Sequence, residues 1–214
     1  MTKKQRTIRK SISFSGIGLH TGQQITMTLH PADANHGYKF KRSDLPESPI
    51  INADVDRVVS TQRGTTLEQN GAQVNTTEHI LAALYGCEVD NALIELTGPE
   101  IPIMDGSSIE FVEAIEAAGY DDQEAPRKYF KLNSNVWYED KEKGVEMLAV
   151  PEPQDEFRIT VMVDYRSPIL GTQHASMYKI SEFKDEIARS RTFVFLREVK
   201  QLANEGLIKG GDLN

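Results

Sequence analysis

Residues 65–86 read TTLEQNGAQVNTTEHILAALYG, and this run carries the clearest signals for the fold. In its first half, two short segments that favour strands flank Asn70-Gly71, a strong signal for a two-residue hairpin turn. In its second half, apolar residues recur at helical spacing; either of two adjacent threonines can cap the helix start, and Gly86 can end it. A hairpin that leads directly into an amphipathic helix predicts a mixed α+β fold.

On the N-terminal side of this stretch, the sequence predicts mostly strands. Residues 7–14 and 24–29 alternate polar and apolar side chains, which is the period of a half-buried strand. A glycine-rich loop, residues 15–22, joins them, so we expect an antiparallel pair. Residues 38–41 predict a further short strand.

On the C-terminal side, the sequence predicts a strand and a helix, a break, and then a second series of elements. Residues 92–96 favour a buried strand, and a helix is predicted from Ser107 or Ser108 to Gly119. Residues 121–126 are polar and end at a proline, which predicts a linker. The elements predicted beyond it are strands at 129–138, 145–150, 157–163 and 173–180, a helix at 181–188, an extended segment at 191–195 and a short helix ending near Gly206.

This organisation predicts two successive α+β units, with each sheet covered by helices on one side. The first unit spans residues 1–122 and the second spans residues 128–214. The second unit ends on a turn-forming sequence, residues 210–214, whereas the first has a fuller set of elements. We therefore expect the second unit to be incomplete, with uncovered apolar surface that promotes self-association.

The composition is that of a globular protein and excludes several classes. Of the 214 residues, 39% are hydrophobic and 26% charged, which is enough apolar material for a core. The net charge of −8 argues against binding nucleic acid, because the phosphate backbone repels such a surface. No apolar stretch approaches the ~20 residues that span a bilayer, and no signal peptide is recognisable. The one cysteine, Cys87, follows an apolar run, which favours a packed thiol in a cytoplasmic protein.

Glu78 and His79, at the start of the first predicted helix, are the strongest candidates for catalytic residues. Backbone N–H groups are unpaired at a helix start and the dipole is positive there, which favours an ionised carboxylate and a neutral imidazole. A neutral imidazole can hold Zn²⁺ while a carboxylate takes the proton from zinc-bound water. Taken alone, the pair is explained more simply by a glutamate that favours the helix dipole beside a half-buried histidine.

Three further segments contain candidate site residues, and each also has a purely structural explanation. His20 lies in a glycine-flanked loop, where backbone can approach a ligand, although loop histidines commonly bond nearby carbonyls. Asp105 stands before a Gly-Ser helix start, where it either forms the turn or orients a catalytic group. The residues after Arg191 mix apolar and charged side chains, which favours either core packing or a lipid-facing wall.

Five motifs, taken in order, resemble those of one enzyme family. They are Gly16-Ile17-Gly18-Leu19-His20-Thr21-Gly22, Thr77-Glu78-His79-Ile80-Leu81-Ala82-Ala83-Leu84, Glu100-Ile101-Pro102-Ile103-Met104-Asp105-Gly106-Ser107, Ser190-Arg191-Thr192-Phe193 and Gly206-Leu207-Ile208-Lys209-Gly210-Gly211. They are similar to motifs of the UDP-3-O-acyl-N-acetylglucosamine deacetylases, which perform the committed step of lipid A synthesis in Gram-negative bacteria. Some members of that family are fused to a hydroxyacyl-carrier-protein dehydratase domain.

The resemblance implies a fold, an activity and a set of site residues. The fold would be two similar α+β domains, with their helices sandwiched between two sheets and a small insert in each. Glu78 would be the general base, His79 a ligand of Zn²⁺, and Thr192 the hydroxyl that stabilises an oxyanion. The residues that would line the site of the UDP-linked acylated glucosamine are Leu19, His20, Phe193, Val199, Leu202 and Leu207, of which the last four belong to an acyl-passage insert near residues 193–210.

The resemblance also implies groups that this sequence lacks. In the family, two more zinc ligands lie in a downstream His-x-x-x-Asp segment that precedes another catalytic histidine, and no His-x-x-x-Asp occurs in these 214 residues. A catalytic zinc takes three protein ligands, so we expect this chain alone to hold zinc weakly and to be inactive. The alternatives are a non-catalytic module that binds the acyl chain and the nucleotide sugar, or an inactive gene fragment.

Overall fold

The computed structural model describes residues 3–154 and 156–211, and it confirms the α+β class. The elements are, in chain order, β1 Lys4–Ile8, β2 Ile12–Ile17, β3 Gln24–Pro31, β4 Tyr38–Arg42, β5 Ile50–Asn52, β6 Val58–Ser60, β7 Thr66–Gln69, β8 Ala72–Val74, α1 Glu78–Gly86, β9 Ala92–Leu96, α2 Ile109–Ala118, β10 Tyr120–Pro126, β11 Val136–Asp140, β12 Val145–Ala149, β13 Ile159–Asp164, β14 Thr172–Met177 and α3 Leu196–Asn204. The short strands β5 and β6 are additions to the predicted elements.

A five-stranded sheet in the order β2-β3-β9-β4-β5 forms the centre of the fold. Its pairs are antiparallel except for β4 and β9, which run parallel. Helices α1 and α2 pack against each other, and Phe111 of α2 meets Phe14 of β2 edge to face at 5.0 Å between ring centroids. This packing buries the alternating apolar residues of the strands, so the period-two pattern of residues 24–29 is explained by one buried face.

The hairpin and helix predicted from residues 65–86 are both confirmed. Asn70 and Gly71 have φ of 55° and 75°, the positive values that a type I′ turn requires at both central residues. Strands β7 and β8 pair on either side of this turn, and α1 follows from Glu78 to Gly86. Thr77 does occupy the position before the helix, but its hydroxyl donates to the Thr65 carbonyl and does not cap the helix. This bond ties the helix start to the chain just before the hairpin.

The predicted linker at residues 121–126 is wrong, because this segment is strand β10 and pairs antiparallel with β1. Its polar composition is satisfied by ion pairs between the strands: Arg6 with Asp122, Arg9 with Asp121, and Lys4 with Glu124. Cross-strand pairs of opposite charge stabilise a sheet without apolar side chains. The basic residues Lys4, Arg6 and Arg9 thus face acidic partners across the two-stranded sheet of β1 and β10.

The single strand predicted at residues 7–14 is also wrong, because the chain forms two strands that belong to different sheets. β1 pairs with β10, whereas β2 pairs with β3. Between them the Arg9 N–H donates to the carbonyl of Gly119, directly after α2. Three successive polar residues, Arg9, Lys10 and Ser11, interrupt the polar-apolar alternation at this point, and the prediction of a single strand passed over this break.

Residues beyond β10 form two hairpins, β11-β12 and β13-β14, and every residue of β12 and β13 is exposed. The first strand, β11, begins at Val136 and is therefore shorter than the prediction of 129–138. Before it, Arg127 forms ion pairs with Asp90 and Glu88 and holds the chain beside the end of α1. The helix predicted at 181–188 is wound differently, as a 3-10 turn at Ile180–Glu182 followed by a π-helical turn at Phe183–Ile187. Phe183 nevertheless joins the main core.

Two further predictions, on membrane-spanning segments and on Cys87, can be compared with the structure. Within residues 3–154 and 156–211, no helix combines the length and the apolar character needed to cross a membrane. Cys87 is partly buried behind α1, and burial raises the pKa of its thiol to about 11. A thiol with this pKa is not ionised at neutral pH, so Cys87 is a packed side chain and not a nucleophile.

Candidate functional site

Glu78 is the first residue of α1, and its carboxylate is held in place by the chain that precedes the hairpin. Its Oε2 atom accepts a hydrogen bond from the Thr65 N–H at 2.9 Å. Its Oε1 atom lies against Gly64, where a Cβ would come within 3.4 Å of it. The side chain is half-buried. Its Oε2 atom is held by the backbone of Thr65, whereas its Oε1 atom lies beside Gly64.

His79 follows on the same helical turn and is also half-buried. Burial lowers the pKa of its imidazole, and the nearby carboxylates of Glu78 and Asp105 oppose this effect in part. The backbone at this point is fixed as well, because the Ser108 hydroxyl donates to the His79 carbonyl at 3.0 Å. The lowered pKa favours the neutral imidazole at neutral pH, and only this form has a ring nitrogen free to bind a metal ion or to accept a proton.

The turn before α2 brings Asp105 and Thr192 to the same place. Asp105 Oδ1 accepts hydrogen bonds from the N–H and the hydroxyl of Ser107, at 3.0 and 2.7 Å. Thr192 lies on the other side of this turn, where its N–H donates to the Gly106 carbonyl at 2.8 Å. Since the Ser108 hydroxyl, three residues beyond Asp105, donates to the His79 carbonyl, this turn lies between the start of α1 and Thr192.

The loop of residues 18–22 carries Leu19 and His20 and lies beside Arg63. The Nε2 atom of His20 lies 3.2 Å from the Arg63 carbonyl; because a carbonyl only accepts, we assign the proton to Nε2. The Nδ1 atom is buried and has no hydrogen-bond partner among the described residues. The His20 ring therefore contacts the residue just before Gly64, which itself lies against the Glu78 carboxylate.

The predicted acyl-passage residues lie on an exposed segment and on α3. Phe193 is 57% exposed and packs against Phe195 and Tyr165, with ring centroids at 5.5 and 5.6 Å. Leu202 is buried on the inner face of α3, and the Leu207 N–H donates to its carbonyl. Val199, on the same helix, is half-buried.

Two contacts join this segment to the loops around Glu78. Glu198, in the first turn of α3, forms an ion pair with Arg63 at 3.2 Å. The Gly210 N–H donates to the Leu19 carbonyl at 3.0 Å, so the chain after α3 lies along the loop of residues 18–22. The structure thus gathers the candidates around one region, while their roles stay predictions.

The donor set of this region does not, on its own, fit a catalytic zinc ion. His79 offers a neutral imidazole beside two carboxylates. Within residues 3–154 and 156–211, however, no three His, Cys, Asp or Glu side chains are grouped so that they could hold a metal ion. A catalytic zinc normally takes three protein ligands, so His79 supplies at most one of them in these residues.

Two residues beside the site candidates, Glu100 and Arg63, were not among the residues predicted from the sequence. Glu100 is fully buried and accepts hydrogen bonds from the loop that carries His20. A glutamate between Pro99 and the apolar Ile101 was a usable signal, because a carboxylate in such a setting needs several donors. Arg63 carried no such signal. Its carbonyl lies beside Nε2 of His20 and its guanidinium pairs with Glu198, and both partners are distant in the sequence.

Comparisons with known proteins give one consistent result. The family model described as UDP-3-O-acyl N-acetylglycosamine deacetylase matches residues 5–214. The chain is 47% identical, over 98% of its length, to 45% of the bifunctional enzyme LpxC/FabZ of Chlorobaculum tepidum. It is 39% identical, over 99% of its length, to 69% of the UDP-3-O-acyl-N-acetylglucosamine deacetylase of Methylococcus capsulatus. The chain thus spans about half the length of the bifunctional relatives that it matches.

Proposed function

Because the chain belongs to the UDP-3-O-acyl-N-acetylglucosamine deacetylase family, we propose that it carries part of the active site of a deacetylase in lipid A biosynthesis. The protein would hydrolyse the acetamide of a UDP-linked 3-O-acyl-N-acetylglucosamine and release acetate. The observation that best supports this reaction is the half-buried Glu78 and His79 pair at the start of α1, with Oε2 of Glu78 held by the Thr65 N–H.

Glu78 is proposed as the general base. A water molecule beside its Oε1 atom would attack the acetamide carbonyl while the carboxylate takes one of its protons. Collapse of the tetrahedral intermediate breaks the C–N bond, and the same proton returns to the departing amine, which leaves acetate as the second product. The Thr65 N–H supports this role because it fixes the orientation of the carboxylate and leaves Oε1 for the water.

Thr192 is proposed to donate its hydroxyl to the oxyanion of that intermediate. A donor aimed at the position where charge develops can be worth ~10²–10³-fold in turnover. The hydrogen bond from the Thr192 N–H to Gly106 supports this role, since it places the residue beside the turn that also carries Asp105. Asp105 would orient His79 from the same turn.

Zinc dependence is part of the proposal. When bound, the ion would polarise the carbonyl and lower the pKa of water at the site. His79 would be one of its ligands in the complete protein, and the other ligands would come from outside the described residues. The lowered pKa of His79 supports this assignment, because only the neutral imidazole binds a metal.

The rest of the predicted organisation also stays within this proposal. We propose two domains with helices sandwiched between sheets: residues 1–122, to which the remainder of strand β10 also belongs, and residues 128–214. The exposed Phe193 cluster is proposed as part of the acyl passage. A cytoplasmic location and the absence of nucleic-acid partners are supported by one cysteine and a net charge of −8. The fused dehydratase domain stays a prediction.

A second candidate function is a non-catalytic module that binds the acyl chain and the nucleotide sugar. The observation in its favour is that the described residues group no complete set of metal ligands. Turnover separates the two candidates, because a binding module would retain the substrate and release no acetate.

The test is acetate release by the full protein, with Glu78→Gln as the variant and Glu116→Gln as the matched control. We expect Glu78→Gln to lower kcat by ~10²–10⁴-fold, the usual contribution of a general base, with an unchanged circular-dichroism spectrum. Glu116 lies in the last turn of α2, where it pairs with Lys184, so the same change of charge there should leave kcat unaltered. A folded Glu78→Gln variant with wild-type turnover would remove the base from the mechanism.

A further inference from the structure

We propose that Glu100 is a positioning residue that holds the two loops flanking the site in register, an inference that rests on the proposed function. The side chain is completely buried, with 0% of its surface exposed. It lies between the end of β9 and the turn before α2, about twenty residues beyond Glu78 in the sequence. No part of the mechanism above uses this carboxylate.

Each carboxylate oxygen of Glu100 accepts two hydrogen bonds, and the four donors come from two different loops. Oε1 accepts from the His20 N–H and the Thr76 hydroxyl, both at 2.9 Å. Oε2 accepts from the N–H and the hydroxyl of Thr21, at 2.9 and 2.8 Å. Glu100 thus joins the loop of residues 18–22 to the segment that enters α1. A buried carboxylate with every lone-pair direction used is a rigid joint.

The backbone on both sides of this joint is adapted to it. Gly18 packs so closely that a Cβ there would collide with Oε2 of Glu100, with Oγ1 of Thr21, and would lie 3.0 Å from Cδ of Glu100. Thr76 has φ of 58°, a left-handed conformation that is costly for a β-branched residue, and is only 2% exposed. Strained residues of this kind persist only when their surroundings hold them, and here the hydroxyl of Thr76 is bound to Glu100.

The joint determines where the groups of the site stand. Glu100 holds the loop that carries His20, and the His20 ring lies beside the carbonyl of Arg63. The next residue, Gly64, lies against the Glu78 carboxylate. Two residues after Thr76 comes Glu78 itself. Glu100 therefore acts through His20 on the substrate side and through Thr76 on the side of the base, without touching either reacting group.

Glu100→Gln tests the joint with almost no change in shape. A glutamine amide has one accepting oxygen and one donating NH₂ group. If the NH₂ replaces Oε1 it faces the His20 N–H, and if it replaces Oε2 it faces the Thr21 N–H. A threonine hydroxyl can rotate to accept, but a backbone N–H cannot, so either orientation leaves one buried N–H without its acceptor.

The experiment measures kcat and KM of the full protein together with the backbone amide shifts of His20 and Thr21 in ¹⁵N-labelled samples. Asp90→Asn is the matched control: Asp90 also accepts from a backbone N–H, that of Arg6, but lies beyond the C-terminal end of α1. We expect Glu100→Gln to lower kcat/KM by about 10–100-fold, as a small displacement of reacting groups does, and Asp90→Asn to change it less than twofold.

Two milder variants divide the effect between the loops and keep the test informative if Glu100→Gln folds poorly. Thr76→Val, which retains the branched shape, should lower kcat with little change in KM. Thr21→Val should raise KM with little change in kcat. A purely structural role predicts no such division, so equal effects of both variants on both constants, or kinetics of Glu100→Gln that match those of Asp90→Asn, would overturn the proposal.

The amide shifts separate this inference from the proposed function. In Glu100→Gln the His20 or the Thr21 amide proton should move upfield, because it loses a carboxylate acceptor, while both stay unchanged in Asp90→Asn. If the wild-type protein released no acetate, the proposed deacetylation would fail, and unchanged His20 and Thr21 amides in Glu100→Gln would in addition disprove the joint.

Discussion

Gly86→Ala should destabilise the protein, although the same substitution in a helix normally stabilises it. Gly86 is the last residue of α1, and its missing side chain makes room for the ring of Phe183. A Cβ at this position would lie 2.6 Å from Cγ and 2.7 Å from Cε1 of Phe183. Contacts of this kind below 3.0 Å do not occur in folded proteins, so the ring or the helix end must move. Phe183 is 7% exposed and belongs to the core, which leaves it little room.

The expected size follows from two opposing contributions. Alanine is more stable than glycine inside a helix by about 0.5–1 kcal/mol. Overpacking a well-filled core costs about 1–3 kcal/mol. The clash therefore dominates, and we expect the free energy of unfolding to fall by about 0.5–2 kcal/mol. In a Phe183→Ala background the clash is gone, so Gly86→Ala should there raise the free energy of unfolding by about 0.5–1 kcal/mol.

A double-mutant cycle measured by urea unfolding, followed by circular dichroism, checks this change of sign. The interaction energy between the two positions should be about 1–3 kcal/mol, as for residues in direct contact. Phe183→Ala alone should cost about 3–5 kcal/mol, so the four proteins need to be compared under stabilising conditions. If Gly86→Ala stabilised the wild-type protein, or changed both backgrounds equally, then Phe183 would not pack on the end of α1.

Three further predictions concern charge, metal and exposed surface. Hydrogen bonds from the buried Arg42 lower the pKa of Asp44, so this pair stabilises the fold above the unfolded pKa of ~3.9, and its contribution is lost as the pH falls through the folded pKa. In urea titrations, Asp44→Asn should therefore lower the free energy of unfolding by about 1–3 kcal/mol at pH 7 and by clearly less at pH 3. The 214-residue chain, dialysed against buffer after loading with zinc, should retain well below one equivalent by metal analysis, and stoichiometric zinc would show that its own side chains complete a site. The same chain should bind an apolar fluorescent dye and self-associate in size measurements, because the hairpins expose Trp137, Leu148 and Met162. A monomer that causes no increase in dye fluorescence would contradict this prediction.

Much of the fold around α1 was predictable because its signals are local. Asn70-Gly71 demands two positive φ values in a row, and almost any fold that contains it turns the chain there. The apolar residues of α1 repeat with the helical period, and those that the structure buries, Ile80, Ala83 and Leu84, belong to the main core. The site motifs that resemble the deacetylase family were readable for the same reason, since each is a short contiguous run.

The class of fold, the hairpin, the two main helices and the family could be predicted from local sequence patterns. Which distant segments meet could be learned only from the folded structure. Residues 121–126 became a strand because Arg6, Arg9 and Lys4, more than a hundred residues away, supply the opposite charges. Glu100 became a joint because four donors from residues 20–21 and 76 converge on it. Periodicity and turn preference act over a few residues and can be read along the chain. Contacts between distant segments form only when the chain folds, and a buried carboxylate such as Glu100 then requires donors from whichever segments lie beside it.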